Sequence, residues 1–131
     1  MKILGIDYGT KKIGLALSDE GATFAFPHSI VVNDGRAFDK IVAVVRGAQA
    51  GKVVVGESVD YKGENNPIMD EVYEFADRLE KQTGVEVFFE PEFLTTTQAG
   101  KEQGRRDNLD SSAAALILRS FLEKEKNEPS V

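Results

Sequence analysis

Gly5-Ile6-Asp7-Tyr8-Gly9-Thr10-Lys11-Lys12-Ile13-Gly14-Leu15-Ala16-Leu17-Ser18-Asp19 is the stretch whose reading decides the fold. Ile3, Leu4 and Ile6 form an apolar run that predicts a buried strand, Lys2–Ile6, with Asp7 where it ends. Gly9 permits a tight turn. Ile13, Leu15 and Leu17 then alternate with Gly14, Ala16 and Ser18, which predicts a second strand, Ile13–Ser18. Such a hairpin holds one carboxylate on a rigid strand beside backbone free of bulky side chains. That suits binding of a metal ion or a phosphate. Asp is also common as a plain turn former, so both readings of Asp7 stand here.

Working outward, Asp19-Glu20-Gly21 links to a third strand near His28–Val32, and three strands with short turns make an antiparallel meander. Asn33-Asp34-Gly35 ends it. From Arg36 to Ala50, Phe38, Ile41, Val42, Val44, Val45 and Ala48 fall at helical spacing, and Gly51 reads as the stop. Val53-Val54-Val55-Gly56 is continuously apolar, the mark of a parallel strand buried on both faces. Glu57 to Asn66 reads as a loop, and Pro67 as the first position of a helix whose apolar face is Ile68, Met69, Val72, Phe75, Ala76 and Leu79 and which Gly84 closes. Val85, Val87 and Phe89 alternate as a fifth strand. Thr95 and Gln98 have capping-box spacing for a short helix ending by Gly104. After Asp110, Ala114, Ile117, Leu118, Phe121 and Leu122 mark an amphipathic helix to about Lys126. The order β-β-β-α-β-α-β-α-α predicts an α/β fold: a mixed five-stranded sheet with helices on both faces and the Asp7 strand central. Residues 1–126 read as a single domain and 127–131 as a frayed C-terminal tail.

The totals narrow the function classes. The 131 residues suffice for one core, and 41% hydrophobic with 29% charged residues is ordinary for a soluble domain. With no cysteine, disulfides and thiolate metal sites are excluded. No apolar run approaches the roughly 20 residues of a membrane span and no signal peptide is evident, so a cytoplasmic protein is expected. The net charge of -6 and pI near 4.8 weigh against holding nucleic acid by bulk positive potential. An acidic site that takes up a divalent cation changes its local sign, however, and Lys11, Lys12, Arg105 and Arg106 can form a local basic rim.

Four carboxylates draw the eye: Asp7 at the end of the first strand, Glu90 and Glu92 after the last, and Asp110 at the start of the last helix. Carboxylates from separate elements are the hard oxygen ligands that Mg²⁺ or Mn²⁺ prefers. Two such ions about 4 Å apart activate a water and stabilise a leaving oxygen in phosphodiester hydrolysis. Plainer readings stand beside this one. Asp110 is well placed as a helix N-cap, Glu90 and Glu92 as solvated loop charges, and Asp19, Glu20 and Asp34 as turn residues. His28, the sole histidine, reads as a strand residue.

The opening segment Gly5 to Asp19 resembles that of the YqgF family, also called RuvX, ribonuclease H-like nucleases implicated in maturing the 16S ribosomal RNA precursor and also described as Holliday junction resolvases. Val53-Val54-Val55-Gly56 is similar to that family's strand and glycine, Glu92-Phe93-Leu94-Thr95-Thr96 to its Glu-Arg-Leu-Thr-Thr segment, and Asp110-Ser111-Ser112-Ala113-Ala114 to its Asp-Ser-x-Ala-Ala helix. The resemblance spans nearly the whole chain. It implies a ribonuclease H-like sheet, a metal-dependent phosphodiester hydrolase, and Asp7, Glu92 and Asp110 as the acidic triad that binds Mg²⁺ or Mn²⁺. Thr10 and Lys11 become candidates for steadying a substrate phosphate. RNA is favoured over a four-way DNA junction as partner, with the protein a monomer or homodimer and no membrane involved.

The chain departs from the family in reading Pro91-Glu92-Phe93 where Asp-Glu-Arg is usual, and Glu57-Ser58 where Leu-Pro is usual. The missing arginine makes Arg105 and Arg106 the candidate replacements, and Glu90 a rival to Glu92. Two other classes compete. Gly-Ile-Asp-x-Gly-Thr also resembles the first phosphate loop of actin-like ATPases and sugar kinases, but those need a second lobe. A non-catalytic RNA- or protein-binding module on the same fold is the other.

Overall fold

A computed structural model describes residues 1–59, 68–93 and 109–127. Its elements are β1 (Lys2–Tyr8), β2 (Lys12–Ser18), β3 (Ala25–Val32), α1 (Ala37–Ala48), β4 (Ala50–Val59), α2 (Met69–Thr83), β5 (Glu86–Phe93) and α3 (Leu109–Asn127). The strands join in the order β3-β2-β1-β4-β5, so β1 is central. β1 pairs antiparallel with β2, bringing Asp7 opposite Gly14. On its other side it runs parallel to β4, with Ile6 opposite Val55. β4 in turn runs parallel to β5, with Val55 opposite Phe89.

Alternation along the strands sorts side chains onto two faces. Leu4, Ile6, Ile13, Leu15, Val53 and Val55 pack with Ile41, Val45, Val72 and Leu79 of α1 and α2. Ile3, Ala16 and Val54 face the other way and meet Ala114, Ile117, Leu118 and Phe121 of α3. Val53, Val54 and Val55 are all fully buried, as expected of a parallel strand covered on both faces. Each fully buried Leu or Ile contributes about 1.5–3 kcal/mol by leaving water. The α/β class, the mixed five-stranded sheet and the central Asp7 strand are as the sequence implies.

Several boundaries differ, and for the strands the reason is shared: ladder hydrogen bonds carry them past their apolar runs. β1 extends through Tyr8, so Asp7 lies within the strand. β4 continues through Glu57, Ser58 and Val59, expected in a loop, because Glu57 pairs with Pro91 and Val59 with Phe93. β5 therefore includes Glu90, Pro91 and Glu92, expected beyond it. Pro91 is tolerated because β5 is an edge strand. β3 starts at Ala25, three residues early, and is the opposite edge. Its exposed residues and the register shift between Leu15 and Ala16 blur the alternation there. α1 ends on Gln49 in the left-handed conformation (φ 56°), not on Gly51. Gly84 (φ 78°) closes α2 as expected. Asp110 falls inside the first turn of α3 rather than ahead of it. Pro67, the helix expected before Gly104 and residues 128–131 of the tail lie outside the described residues.

Candidate active site at the C-terminal edge of the sheet

β1, β4 and β5 are parallel, so their C-terminal ends share one edge of the sheet, and the candidate carboxylates come from there. Asp7 is partly buried on β1, one residue past the Ile6–Val55 rank. Glu90 occupies the equivalent rank on β5, one residue past Phe89, and Glu92 follows opposite Ser58. α3 crosses close over β1. A Cβ added at Gly5 would lie 2.8 Å from Leu118 Cβ and 3.0 Å from the Ala114 carbonyl oxygen, so only glycine lets helix and strand touch there. At the far end of α3, Glu125 accepts from Lys52 Nζ (3.1 Å) near the start of β4. The first turn, with Asp110, is therefore the end directed toward the edge that bears Asp7. From Ala114 back to Asp110 is about 6 Å of helix rise. From Gly5 on to Asp7 is about 7 Å of strand.

Glu90 is not the solvated loop charge that one reading of the sequence gives. It is only 4% exposed, and one carboxylate oxygen accepts from Ser120 Oγ (2.7 Å) and Lys124 Nζ (2.9 Å). It ties β5 to α3, the two elements that carry Glu92 and Asp110. Nothing in the sequence marks this role, because Ser120 and Lys124 lie some thirty residues on and read as the polar side of a helix.

The hairpin between β1 and β2 is braced from the next turn. Thr10 and Lys11 are exposed at its tip. Asn33 donates from its backbone N–H to the Lys11 carbonyl (2.9 Å) and from Nδ2 to the Gly9 carbonyl (2.8 Å). Gly9 is needed for space, since a Cβ would stand 2.6 Å from the Lys12 carbonyl oxygen; its φ is not among the positive ones. Tyr8 turns to the opposite face, its ring 5.2 Å from that of Phe75 and its hydroxyl donating to Glu71 Oε2 (2.9 Å). Burial pushes the Tyr8 phenol pKa up, with the Glu71 carboxylate adding to the rise and the hydrogen bond with Asn33 opposing it. Sequence reading treats Asn33 only as a turn residue, and its reach to Gly9 has no sequence signal.

The remaining candidates separate. His28 is exposed on β3, its Nδ1 2.8 Å from Ser29 Oγ, on a strand at the sheet's other side. Asp19 is a turn residue as expected: Oδ1 accepts from the Thr23 and Phe24 backbone N–H groups, which hold its carboxyl below the usual range. Arg105 and Arg106 lie outside the described residues, as do the side chains of Glu92 and Asp110. Among the described residues no three His, Asp or Glu side chains form a complete metal site. The donor chemistry at this edge is nonetheless of one kind. The chain has no thiol and its only imidazole is elsewhere, which leaves oxygen donors suited to a hard divalent ion.

Comparison with known proteins agrees with this architecture. The family model described as RuvX: Holliday junction resolvase matches residues 1–124. A relative from Maridesulfovibrio salexigens, named "Putative pre-16S rRNA nuclease", is 34% identical over 93% of this chain and 98% of its own length. A relative of the same name from Nitratidesulfovibrio vulgaris is 37% identical, covering 93% of both chains. Among solved structures, Thermus thermophilus RuvC in complex with a Holliday junction substrate superposes with a TM-score of 0.64 at 17% identity, over 97% of this chain and 96% of that one. The fowlpox virus Holliday junction resolvase gives 0.59 at 13% identity, over 95% and 99%. These two likenesses show the ribonuclease H-like fold, and the family-model match along nearly the whole length shows more: the chain belongs to the RuvX family.

Proposed function

We propose that this protein is a metal-dependent nuclease that hydrolyses phosphodiester bonds in the precursor of 16S ribosomal RNA, in the cytoplasm. The observation that carries the reading is the position of Asp7: on the central strand, paired on both sides, at the edge toward which β5 and the first turn of α3 also lead. Asp7, Glu92 and Asp110 are the proposed ligands. Glu92 follows Glu90 along β5, two residues nearer that strand's C-terminal end. Mg²⁺ or Mn²⁺ held there supplies an activated water and neutralises charge on the leaving oxygen.

The protein's own part is to fix positions. β1 sits between two neighbours, so Asp7 is held on rigid backbone. Glu90 keeps β5 registered on α3 through Ser120 and Lys124. Thr10 and Lys11 offer a hydroxyl and an ammonium to the substrate phosphate, on a tip that Asn33 braces. Arg105 and Arg106 are proposed as further phosphate contacts. In a chain of net charge -6, substrate affinity then rests on these local groups and not on bulk potential.

The relatives named for pre-16S rRNA favour RNA, and the fold shared with a junction-bound RuvC keeps four-way DNA as the second reading. One experiment addresses both: cleavage of a labelled precursor-like RNA and of a four-way DNA junction with Mn²⁺, Mg²⁺ or EDTA, by wild type and Asp7→Asn. RNA cutting that needs metal and falls by at least ~10²–10³-fold in the variant is the expected result. Junction cutting without RNA cutting would transfer the assignment to DNA. No cutting of either by folded wild type would sink the nuclease reading.

A further inference from the structure

A hollow of about 230 Å³ opens on the α1 and α2 side of the sheet, and the Asp7 site makes no use of it. Its lining includes Tyr8, Asn33, Phe38, Asp39, Phe75 and Arg78. One wall is aromatic: the Tyr8 and Phe75 rings lie 5.2 Å apart, and those of Phe75 and Phe38 meet edge to face at 5.9 Å. Arg78 lies over the Phe38 ring, its guanidinium carbon 4.0 Å from the ring centroid. It is exposed and belongs to none of the ion pairs among the described residues. A guanidinium so placed adds a flat, positively charged surface to the aromatic wall. Asn33 joins the hollow to the hairpin tip, since its Nδ2 donates to the Gly9 carbonyl at 2.8 Å. Tyr8 is the residue after Asp7 and points to the opposite face of β1. A nucleic-acid strand lying across the tip therefore passes from the Asp7 side to this hollow.

We propose that this hollow is a nucleobase subsite: it takes one unpaired base of single-stranded RNA, stacked on Arg78 and the aromatic wall, with guanine preferred to uracil. Size argues for a single base, because the space falls below the roughly 300–1,000 Å³ of a site for a drug-sized molecule. Charge argues for the base and not its phosphate. Asp34 and Asp39 also line the hollow, and carboxylates repel phosphate oxygens. Carboxylates do accept hydrogen bonds, and guanine presents N–H donors on neighbouring ring and amino nitrogens. Uracil presents one N–H between two carbonyls, which a carboxylate repels. Stacking is tolerant of sequence, so these acceptors supply the preference. A base seated here is out of any duplex, as bases of single-stranded RNA are free to be. The subsite rests on the nuclease reading, which brings RNA to the tip.

Fluorescence anisotropy of the full chain in EDTA tests it by reading binding without cleavage. The probes are a fluorescein-labelled uridine oligomer and the same oligomer with one central guanosine. Wild type is expected to bind the guanosine oligomer about 10-fold more tightly. Arg78→Ala should remove most of that gain. Arg78→Lys should not restore it, since an ammonium keeps the charge but offers no plane. Asp39→Ala should remove the gain too, with affinity for the uridine oligomer unchanged or raised. Both side chains are exposed, and a loss confined to guanosine is not what a damaged fold produces. Equal affinity of wild type for the two oligomers overturns the proposal. So does a gain that survives Arg78→Ala, or one that Arg78→Lys keeps in full, which would leave charge and not stacking as its source. The nuclease reading is judged separately, by metal-dependent cutting in Asp7→Asn. Cutting lost in that variant, with no guanosine preference in wild type, removes the subsite alone. A preference that needs Arg78, with cutting indifferent to Asp7→Asn, keeps the subsite and removes the proposed active site.

Discussion

The two faces of the central sheet are made by the same strands and serve different ends. On one, Leu4, Ile6, Ile13, Leu15, Val53 and Val55 are large and fully buried beneath α1 and α2. On the other, the alternate positions of β1 and β2 are Gly5, Gly14 and Ala16, and a single helix comes down onto the strand. The polar groups gather on this second face: Glu90 meets α3 there, and Ser18 accepts from the Ile3 N–H at 2.8 Å. Area stabilises the first face; closeness of backbone to backbone organises the second. A site assembled from a strand and a helix belongs where the two are held nearest, because small side chains leave little slack in the distance between them.

Breaking the first face should cost the most stability and the least chemistry. Ile6→Ala removes a fully buried side chain next to Asp7 in sequence but opposite to it in the sheet. It is expected to destabilise the fold by about 2–5 kcal/mol, read from the denaturant midpoint, with cleavage per folded molecule retained. Gly5→Ala attacks the second face. Its Cβ would meet Leu118 and the Ala114 carbonyl at 2.8 and 3.0 Å, so α3 must lift. A cost of about 1–3 kcal/mol is expected, smaller than for Ile6→Ala, but with a larger loss of metal-dependent cleavage. The reverse ordering of activities would dissolve the distinction between the faces.

That division was half legible in the sequence. The alternation Ile13-Gly14-Leu15-Ala16-Leu17 states it outright, and the uninterrupted Val53-Val54-Val55 announces burial on both sides. Central strands write their environment into their residues because both faces constrain them. The edges do not. β3 exposes Phe26, Ile30 and Val32 and takes a proline, and β5 runs through Glu90, Pro91 and Glu92, so neither keeps a clean period. What fixes those strands is pairing with β2 and β4, which is a property of distant residues. Asn33 and Glu90 were opaque for the same cause: their partners lie 24 and 30 residues away, and a polar residue looks alike in sequence whether it braces a loop or faces water.

Glu90 sharpens the comparison within the second face, by separating a strut from a ligand. Glu90→Gln preserves an acceptor for Ser120 Oγ and loses the charge of the pair with Lys124, whose own side chain is well exposed. A loss of about 1 kcal/mol and retained cleavage are expected. Glu92→Gln, in the same titration with Mg²⁺ or Mn²⁺, should abolish cleavage. If Glu90→Gln is the inactive one, the ligand has been assigned to the wrong glutamate.

An effect of similar size is expected at Asn33, which braces the tip beside the site without belonging to either packed face. Asn33→Ala removes the Nδ2 bond to the Gly9 carbonyl but keeps the backbone bond to Lys11, so it should cost about 0.5–1.5 kcal/mol. Its kinetic signature should be a raised KM for RNA with kcat little changed, since Thr10 and Lys11 would meet the phosphate from a looser loop. A second readout is independent of activity. The hydrogen bond with Asn33 lowers the Tyr8 phenol pKa while burial and Glu71 raise it, so the variant's Tyr8 should titrate at still higher pH by ultraviolet absorbance. A shifted Tyr8 titration with unchanged KM would show that the brace was broken and that the tip does not hold the phosphate.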